Sequence, residues 1–374
     1  MKFTIERDLL LRSLSSVSKA LSTKVQMPIL TGIKFEVFKN SINLTASNGE
    51  ISIQSKINER KYLNIEEEGV FVAPGKYLID LVRKTDAKNI NFIGYENESI
   101  KILADKSEFT LKGLDKDTYP NISFDDSPTY MTIDSANLKQ IIRKTTFATS
   151  ISEARVILTG VSFETNANQI KIVATDSYRL AKKELVYDNE FPKVKVVIPA
   201  KSLDELNKII EEAEEVVEIH FFPTKVLFKY KDLLYLTRII EGTFPNTDPL
   251  IPTEFVTSVK FNKNELISSV ERVSIFTDMD SSNIIKLTLN GDNTGEVSST
   301  TNEIGDAKEE LNILDCTNVT PFQIAFSSKY LLDALKAFNS TEVTINFTGE
   351  IKPFTITADY DVKMIQLILP VRAS

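Results

Sequence analysis

One pattern of strands, helices and turns is written three times along this chain, and that repetition limits the folds it can adopt. Each copy has a short strand that runs into a helix, a lysine that opens a second helix, and a hairpin that ends in proline. These anchors fall at Ile5, Ile133 and Phe261, at Lys76, Lys201 and Lys329, and at Pro120, Pro245 and Pro370, with intervals of 125 to 128 residues. Because three separate anchors share nearly one period, we expect a triplicated domain.

The repeats predict three domains, at residues 1–125, 126–252 and 253–374. Pro, Asp and Ser accumulate at both junctions, which is typical of linkers. Within each copy the pattern predicts the order β-α-β-β-β-α-β-β-β, because the strand segments alternate polar and apolar residues. The helices are amphipathic, and in the first of them Leu10, Leu14, Val17 and Leu21 share one face. Helices packed against antiparallel sheets make the expected fold class α+β.

Composition excludes several classes of function. The chain has one cysteine, Cys316, and one histidine, His220, so it has neither an internal disulfide nor a Cys/His zinc pattern. A Ser-His-Asp triad would depend on His220, which lies in the alternating strand "VEIHFF", and the nucleophile-elbow and phosphate-loop motifs are absent. The sequence also lacks a secretory leader and any apolar run of about 18 residues. We therefore expect a cytoplasmic protein with no metal, cofactor, catalytic site or membrane partner.

The formal net charge is −8, yet cations recur on the polar faces of all six predicted helices. They are Arg7, Arg12, Lys19, Lys76, Arg83, Lys84, Lys139, Arg143, Lys144, Lys201, Lys208, Lys263, Arg272, Lys329 and Lys336. One interpretation is ordinary solvated helix faces with ion pairs along each helix. The other is a common surface lined with cations, which two copies related by a two-fold axis would close into a ring around a positive hole. Because the pattern recurs in every repeat, we favour the second interpretation.

The segment "ATDSYRLA", residues 174–181, gathers Asp176, Ser177, Tyr178 and Arg179. One hypothesis is an enzyme that uses this cluster, but neighbours on a strand point to opposite faces and do not converge on one substrate. The segment also aligns with "LTASNGEIS", residues 44–52, where no such cluster occurs, so it is a specialised copy of a repeated strand-turn-strand. A second alternative is a static DNA-binding regulator, which would need a helix rich in Arg, Asn or Gln for base edges.

Five segments, taken in order, resemble the bacterial sliding clamp family, the beta subunit of the replicative DNA polymerase. They are "MKFTIERDLLLRSLSSVSKAL", "MPILTGIKFEV", "ATDSYRLA", "EGTFPNTDPLIP" and "ILPVR", and the resemblance spans the whole chain. It implies the DNA clamp fold, with a head-to-tail homodimer that closes six domains into a ring around double-stranded DNA. Such a protein is not an enzyme. It contacts phosphates without reading sequence, and it tethers the polymerase catalytic subunit, the clamp loader and other proteins for processive synthesis.

The resemblance also implies a groove for partner peptides between the second and third repeats. In it Thr175 and Arg179 would supply polar contacts, and apolar members would hold the partner's side chains. We use the term partner groove for Leu158, Thr175, Ser177, Tyr178, Arg179, Leu180, Pro245, Leu250, Ser327, Tyr330, Ile351, Pro353, Leu367, Leu369, Pro370, Val371 and Arg372. Tyr178 stands where the family usually has histidine, and Pro249 stands where a basic residue is common.

Other positions carried over from the family concern DNA and the dimer. The expected DNA-facing cations are Lys24, Lys76, Lys139, Arg143, Lys144, Lys201 and Lys329, of which Lys24, Lys76 and Lys201 match basic positions of the family. Gly75 stands where the family often has arginine. For the dimer, Phe109 in the first repeat and Ile275 with Phe276 in the third match interface positions.

Overall fold

The computed structural model describes residues 1–22, 27–95, 97–277, 283–290, 294–301, 305–317 and 321–372. Two α-helices fall in each repeat. They are α1 (Arg7–Val17), α2 (Gly75–Lys84), α3 (Ser135–Thr145), α4 (Ala200–Ile209), α5 (Lys263–Ser274) and α6 (Ser328–Lys336). The strand pairs of the described residues are antiparallel throughout. The α+β class is therefore confirmed.

The strands account for most of the remaining chain. The first repeat contains β1 (Lys2–Glu6), β2 (Gly32–Phe38), β3 (Ser41–Ser47), β4 (Ile51–Ile57), β5 (Leu63–Glu67), β6 (Gly69–Pro74), β7 (Asn89–Gly94), β8 (Ser99–Ala104) and β9 (Ser107–Lys112). The second contains β10 (Tyr130–Asp134), β11 (Gly160–Thr175), β12 (Arg179–Pro199), β13 (Val216–Phe221), β14 (Lys225–Tyr230) and β15 (Leu233–Arg238). The third contains β16 (Thr257–Asn262), β17 (Ile284–Leu289), β18 (Gly295–Thr301), β19 (Gly305–Leu311), β20 (Ile313–Thr317), β21 (Phe322–Ser327), β22 (Glu342–Phe347), β23 (Phe354–Thr357) and β24 (Met364–Ile368).

The expectation of three strands between the helices of every repeat is wrong. The described parts of the first and third repeats have five there, and the second has the two long strands β11 and β12. The register between β11 and β12 shifts on either side of Ala167. In the second repeat the strand therefore continues through a bulge, whereas in the first and third repeats it ends and a new strand begins. Alternation of polar and apolar residues does not report such a break, because each strand resumes the same two-residue period.

The chain forms two compact units, one of Met1–Leu138 with Glu205–Ile239 and one of Lys139–Asp204 with Ile240–Ser374. The first unit holds a five-stranded sheet in the order β5-β1-β7-β8-β9 and an eight-stranded sheet in the order β10-β13-β14-β15-β4-β3-β2-β6. The second unit holds a seven-stranded sheet in the order β11-β12-β24-β23-β22-β16-β20 and a four-stranded sheet in the order β19-β18-β17-β21.

The two larger sheets combine strands from successive repeats. In the first unit β15 pairs with β4, placing Leu233 opposite Ser55, and in the second unit β12 pairs with β24, placing Leu180 opposite Leu367. Main-chain hydrogen bonds therefore run from one repeat to the next, and the compact units do not coincide with the repeats. The domain spans 1–125, 126–252 and 253–374 stay a prediction.

The helices bury the faces that their periodicity predicts. On α1, Leu10, Leu14 and Val17 are fully buried, and Leu21 beyond its end is half-buried. In the second unit Val270 of α5 and Leu335 of α6 belong to one large apolar core. No helix among the described residues is both long and apolar enough to cross a membrane.

Candidate functional site

The turn inside "ATDSYRLA" joins β11 to β12 and is held by its own side chains. The Asp176 carboxylate accepts hydrogen bonds from the backbone N–H groups of Tyr178 at 2.9 Å and Arg179 at 3.0 Å. The Thr175 hydroxyl accepts from the Ser177 N–H at 3.1 Å and donates to the Arg179 carbonyl at 2.6 Å. Ser177 has φ of 82°, a left-handed conformation that a non-glycine residue adopts only when its surroundings impose it.

The corresponding turn of the first repeat repeats this geometry. Asn48 accepts from the backbone N–H groups of Glu50 at 2.9 Å and Ile51 at 2.8 Å, and the Ser47 hydroxyl accepts from Gly49 at 3.1 Å. Gly49 has φ of 89°, close to that of Ser177. The pattern is a side-chain-capped turn, which Asn, Asp, Ser and Thr form readily. The polar cluster of "ATDSYRLA" is therefore first of all the turn of the expected strand-turn-strand, between the end of β11 at Thr175 and the start of β12 at Arg179.

Arg179 lies at the start of β12 with its guanidinium buried. Nε donates to Asp176 at 3.0 Å, one Nη donates to Asp333 at 2.6 Å, and the other donates to the carbonyl of Phe147 at 2.5 Å. The guanidinium carbon lies 4.5 Å from the centre of the Tyr330 ring. Arg179 was expected to supply a polar contact to a partner peptide. Each guanidinium nitrogen thus donates once within the chain, and the expected contact with a peptide stays a prediction that the two remaining N–H groups would have to supply.

Three residues assigned to the partner groove belong to an apolar cluster separate from the main core of the second unit. Leu158, Leu180 and Leu367 of the groove pack there, each almost fully buried, with Val173, Val197 and Phe244. Ile157, Ile240 and Ile251 are half-buried against it. Since Leu367 comes from the third repeat, two repeats build this cluster jointly.

The segment Leu369–Val371 is held by two backbone hydrogen bonds. The Leu369 N–H donates to the Tyr178 carbonyl at 2.9 Å, and the Val371 N–H donates to the Ala325 carbonyl at 2.8 Å. The segment from Leu369 to Val371 is half-buried and Arg372 is exposed. The C-terminal segment of the partner groove thus contacts the turn directly.

The remaining groove residues differ in exposure. Tyr178 is 63% exposed, Leu250 58% and Ile351 73%, whereas Ser327 is buried. Pro245 is exposed, and Pro353 and Tyr330 are half-buried. Burial, with a further contribution from the nearby Asp176 carboxylate, raises the pKa of the Tyr330 phenol above its ordinary value. Exposed apolar side chains beside a buried apolar floor are what a peptide-binding surface requires.

A lysine cluster fixes the short helical turn Asp248–Leu250, which carries Leu250. Asp248 accepts hydrogen bonds from the Lys171 ammonium at 2.7 Å and the Lys182 ammonium at 3.3 Å. These contacts lower the pKa of Asp248, chiefly through the hydrogen bond from Lys171. The turn is thereby joined to the β11–β12 hairpin.

Two of the expected DNA-facing lysines, Lys139 and Lys144 on α3, are buried. Lys144 makes a buried ion pair with Asp361, which also accepts from the backbone N–H groups of Asn339 at 2.9 Å and Ser340 at 3.0 Å. Burial of Asp361 opposes its ionisation, but the hydrogen bonds from Lys144 and Ser340 outweigh it and hold the pKa below the ordinary value. Assigning these lysines to DNA is wrong, because Lys144 lies three residues after Ile141 and shares its buried face.

Four expected DNA-facing cations, Lys76, Arg143, Lys201 and Lys329, are exposed, and Lys24 lies outside the described residues. Other helix cations form ion pairs within the chain: Arg272 with Glu309, Lys336 with Glu271, Lys208 with Glu205 and Arg83 with Asp80. Ordinary ion pairing therefore explains part of the cation pattern.

Gly75, at the first position of α2, is closely packed, so a longer side chain would require its neighbours to shift. A Cβ there would lie 2.7 Å from a methyl group of Leu21 and 3.1 Å from the Thr31 carbonyl oxygen. The packing of this chain is thus adapted to glycine at a position where the family often has arginine.

The single histidine is a structural residue. His220 is 3% exposed on β13, its Nδ1 accepts from the Ser127 N–H at 3.2 Å, and its ring stacks on Tyr130 at 5.2 Å. Across the part of the chain that the structure describes, no three Asp, Glu, His or Cys side chains are grouped to hold a metal ion.

Sequence profiles of one family match all three repeats. They describe the N-terminal, central and C-terminal domains of the DNA polymerase III beta subunit, at residues 1–123, 132–246 and 248–372. The chain belongs to this family. A "Beta sliding clamp" of Staphylococcus epidermidis is 37% identical, with 100% of this chain and 99% of that protein aligned.

Solved structures of the family share the fold over the full length. The DNA polymerase sliding clamp of Bacillus subtilis has a TM-score of 0.96 at 36% identity, and the DNA polymerase beta subunit of Streptococcus pyogenes has 0.95 at 35%. Each comparison covers 100% of both chains. The resemblance read from five segments of the sequence is therefore confirmed, and neither alternative function is supported.

The residues expected at the dimer interface of a family member lie at accessible positions. Phe109 is 37% exposed on β9, which forms one edge of its sheet, and Ile275 is 71% exposed just after α5. Phe276 is half-buried. Apolar side chains this exposed are a reason to look for a partner surface.

Sequence reasoning missed Asp333, Phe147 and Asp361, which hold Arg179 and Lys144. A signal for Asp333 was present: it follows Tyr330 by three residues on α6, so both lie on one helix face. For Phe147 and Asp361 no local signal existed, because their partners are distant in sequence.

Proposed function

We propose that this chain is a DNA sliding clamp. It acts as a head-to-tail homodimer in the cytoplasm, encircles double-stranded DNA without sequence specificity, and serves DNA polymerase as a non-catalytic processivity subunit. The polymerase catalytic subunit, the clamp loader and other proteins bind by short motifs in the partner groove. The observation that carries the proposal is the match of all three domain profiles, in order, along one chain.

The distribution of charge supports loose contact with DNA. The chain carries a net charge of −8, which as a whole disfavours tight non-specific binding of phosphate. The exposed cations Lys76, Arg143, Lys201 and Lys329 offer only a few phosphate contacts in each copy. Affinity from so few contacts is weak and falls as salt rises, which allows a clamp to move along the duplex.

Two sheet edges support the homodimer. Strand β9 ends the five-stranded sheet of the first unit, and β19 ends the four-stranded sheet of the second. An open edge strand offers unpaired backbone groups to another chain. Pairing β9 of one copy with β19 of a second would cover both edges. Phe109 lies on β9, and Ile275 follows α5, which contacts β19 through the ion pair of Arg272 with Glu309.

Retention on DNA should depend on topology. After loading onto nicked circular duplex by the cognate clamp loader, the protein is expected to stay with the circle through gel filtration, because a closed ring leaves only over an end. Cutting the circle with a restriction enzyme should release it. Equal elution from circular and linear DNA would contradict the encircling ring. Lys201→Ala should reduce the salt dependence of binding by about one phosphate contact and leave topological retention intact.

The C-terminal segment should be essential to the partner groove. Deleting Leu369–Ser374 is expected to weaken binding of a labelled pentapeptide, beginning with Gln and ending in two apolar residues, by about 100-fold. The estimate follows from losing roughly two buried apolar contacts, each about 1.5 kcal/mol. Fluorescence anisotropy measures the change, and deleting only Ala373–Ser374 is the matched control. Unchanged affinity in the longer deletion would show that the groove assignment is wrong.

A further inference from the structure

The buried Arg179 connects three parts of the second unit that surround the partner groove. Its nitrogens bind Asp176 in the turn, the Phe147 carbonyl after α3, and Asp333 on α6. Its planar face lies on the ring of Tyr330, a groove residue. A guanidinium is planar and presents its donors in fixed directions. It therefore holds its acceptors, and a ring stacked on it, in a rigid relative position.

The fold itself does not need this arrangement. The first repeat forms the same capped turn with Ile51 in place of Arg179 and with no cation at all. A buried guanidinium is costly unless its partners compensate it. Arg179 and its acceptors therefore serve something specific to the second repeat, and the groove is what distinguishes this turn from its copy.

Asp333 is the only partner of Arg179 among these three that comes from the third repeat. Asp176 is adjacent in the turn and Phe147 belongs to the second repeat, whereas Asp333 lies on α6 one helical turn after Tyr330. Its side chain is about one third exposed, so Asp333 can be replaced without leaving a fully buried cavity. The Asp333–Arg179 pair thus joins the two repeats that form the groove.

We propose that Asp333 is a positioning residue of the partner groove: through Arg179 it holds the turn of Tyr178 and the ring of Tyr330 in the conformation that a partner peptide binds. The inference rests on the proposed function of the groove. Asp333 does not contact the peptide. It acts by reducing the rearrangement that binding would otherwise require, and preorganisation of this kind raises affinity without adding contacts.

The test is peptide affinity in matched variants. Asp333→Ala is expected to weaken binding of the labelled pentapeptide by about tenfold, after correction for the folded fraction measured by circular dichroism. Asp333→Asn, which keeps an acceptor for the guanidinium, should recover most of the loss. Glu271→Ala is the control. It removes a carboxylate of α5 that pairs at 2.9 Å with Lys336 of α6, the helix that also carries Asp333. The affinity of this variant should stay within about twofold of that of the unmodified protein.

A double-mutant cycle with Arg179→Met separates action through Arg179 from a direct role. The double variant should bind no more weakly than Arg179→Met alone, because residues of one network are not additive. Additive losses, or unchanged corrected affinity in Asp333→Ala, would overturn the inference while leaving the groove in place. If the unmodified protein itself fails to bind the pentapeptide, the groove and the inference fall together.

Discussion

Replacing Lys144 by methionine is expected to lower the free energy of unfolding by about 3 kcal/mol. Removing one partner of a buried ion pair typically costs about 3–5 kcal/mol, since the other charge stays buried. The lower value is appropriate because Asp361 keeps hydrogen bonds from Asn339 and from the N–H and hydroxyl of Ser340. Urea unfolding followed by far-ultraviolet circular dichroism measures the change, since the chain has no tryptophan.

The control is Lys336→Met, which removes an ion pair between Lys336 of α6 and Glu271 of α5, whose side chains are both about half exposed. Its expected cost is below about 1 kcal/mol, because solvent screens such pairs. Adding Asp361→Asn to Lys144→Met should restore much of the lost stability, since asparagine is neutral and still accepts from Ser340. A double variant as unstable as Lys144→Met alone would contradict this explanation.

The same pair predicts a pH dependence. The pKa of Asp361 is lower in the folded chain than in the unfolded one. Its ionised form therefore contributes stability that is present above the unfolded value of about 3.9 and is lost as the pH falls through the folded pKa. The stability advantage of the unmodified protein over Asp361→Asn should shrink as the pH falls below about 4.

Replacing Ile275 by aspartate should convert the proposed dimer to monomers. A carboxylate placed in an apolar contact is expected to cost about 3 kcal/mol at each interface, and a two-fold ring contains the same contact twice. The dimer dissociation constant should therefore rise by about 10⁴-fold. Sedimentation velocity at micromolar concentration measures the change.

The matched control is Ile351→Asp. Ile351 and Ile275 are almost equally exposed, at 73% and 71%, but Ile351 belongs to the partner groove. Ile351→Asp should leave the dimer intact and weaken peptide binding. Ile275→Asp should give monomers that each still bind the peptide with the affinity of the unmodified protein. An unmodified protein that sediments only as a monomer would exclude the ring.

Much of the fold follows from local patterns that can be read along the chain. The α1 face of Leu10, Leu14 and Val17 is buried as its helical period predicts. The repeat alignment placed "LTASNGEIS" opposite "ATDSYRLA", and the two turns share hydrogen bonds and a left-handed third residue. Asp and Asn cap such turns by contacts within a few residues, so the information is local.

Part of the candidate site could be predicted from the sequence, but the contacts that hold it could not. Leu158, Leu180 and Leu367 do meet in one apolar cluster. The internal contacts of Arg179 could not be predicted, because two of its acceptors, Phe147 and Asp333, lie 32 and 154 residues away. A pattern along the chain cannot show whether a cation will meet a carboxylate that distant.

The sequence by itself determined the triplication, the α+β class, the amphipathic faces and the family, because each is expressed in periods and motifs of neighbouring residues. The tertiary structure alone decided which charges are exposed to solvent. Lys144 and Arg143 are adjacent and chemically alike, yet Asp361, distant by 217 residues, buries the first while the second stays exposed. A charge leaves water only where a partner compensates it, and that partner is supplied by the packing of distant segments.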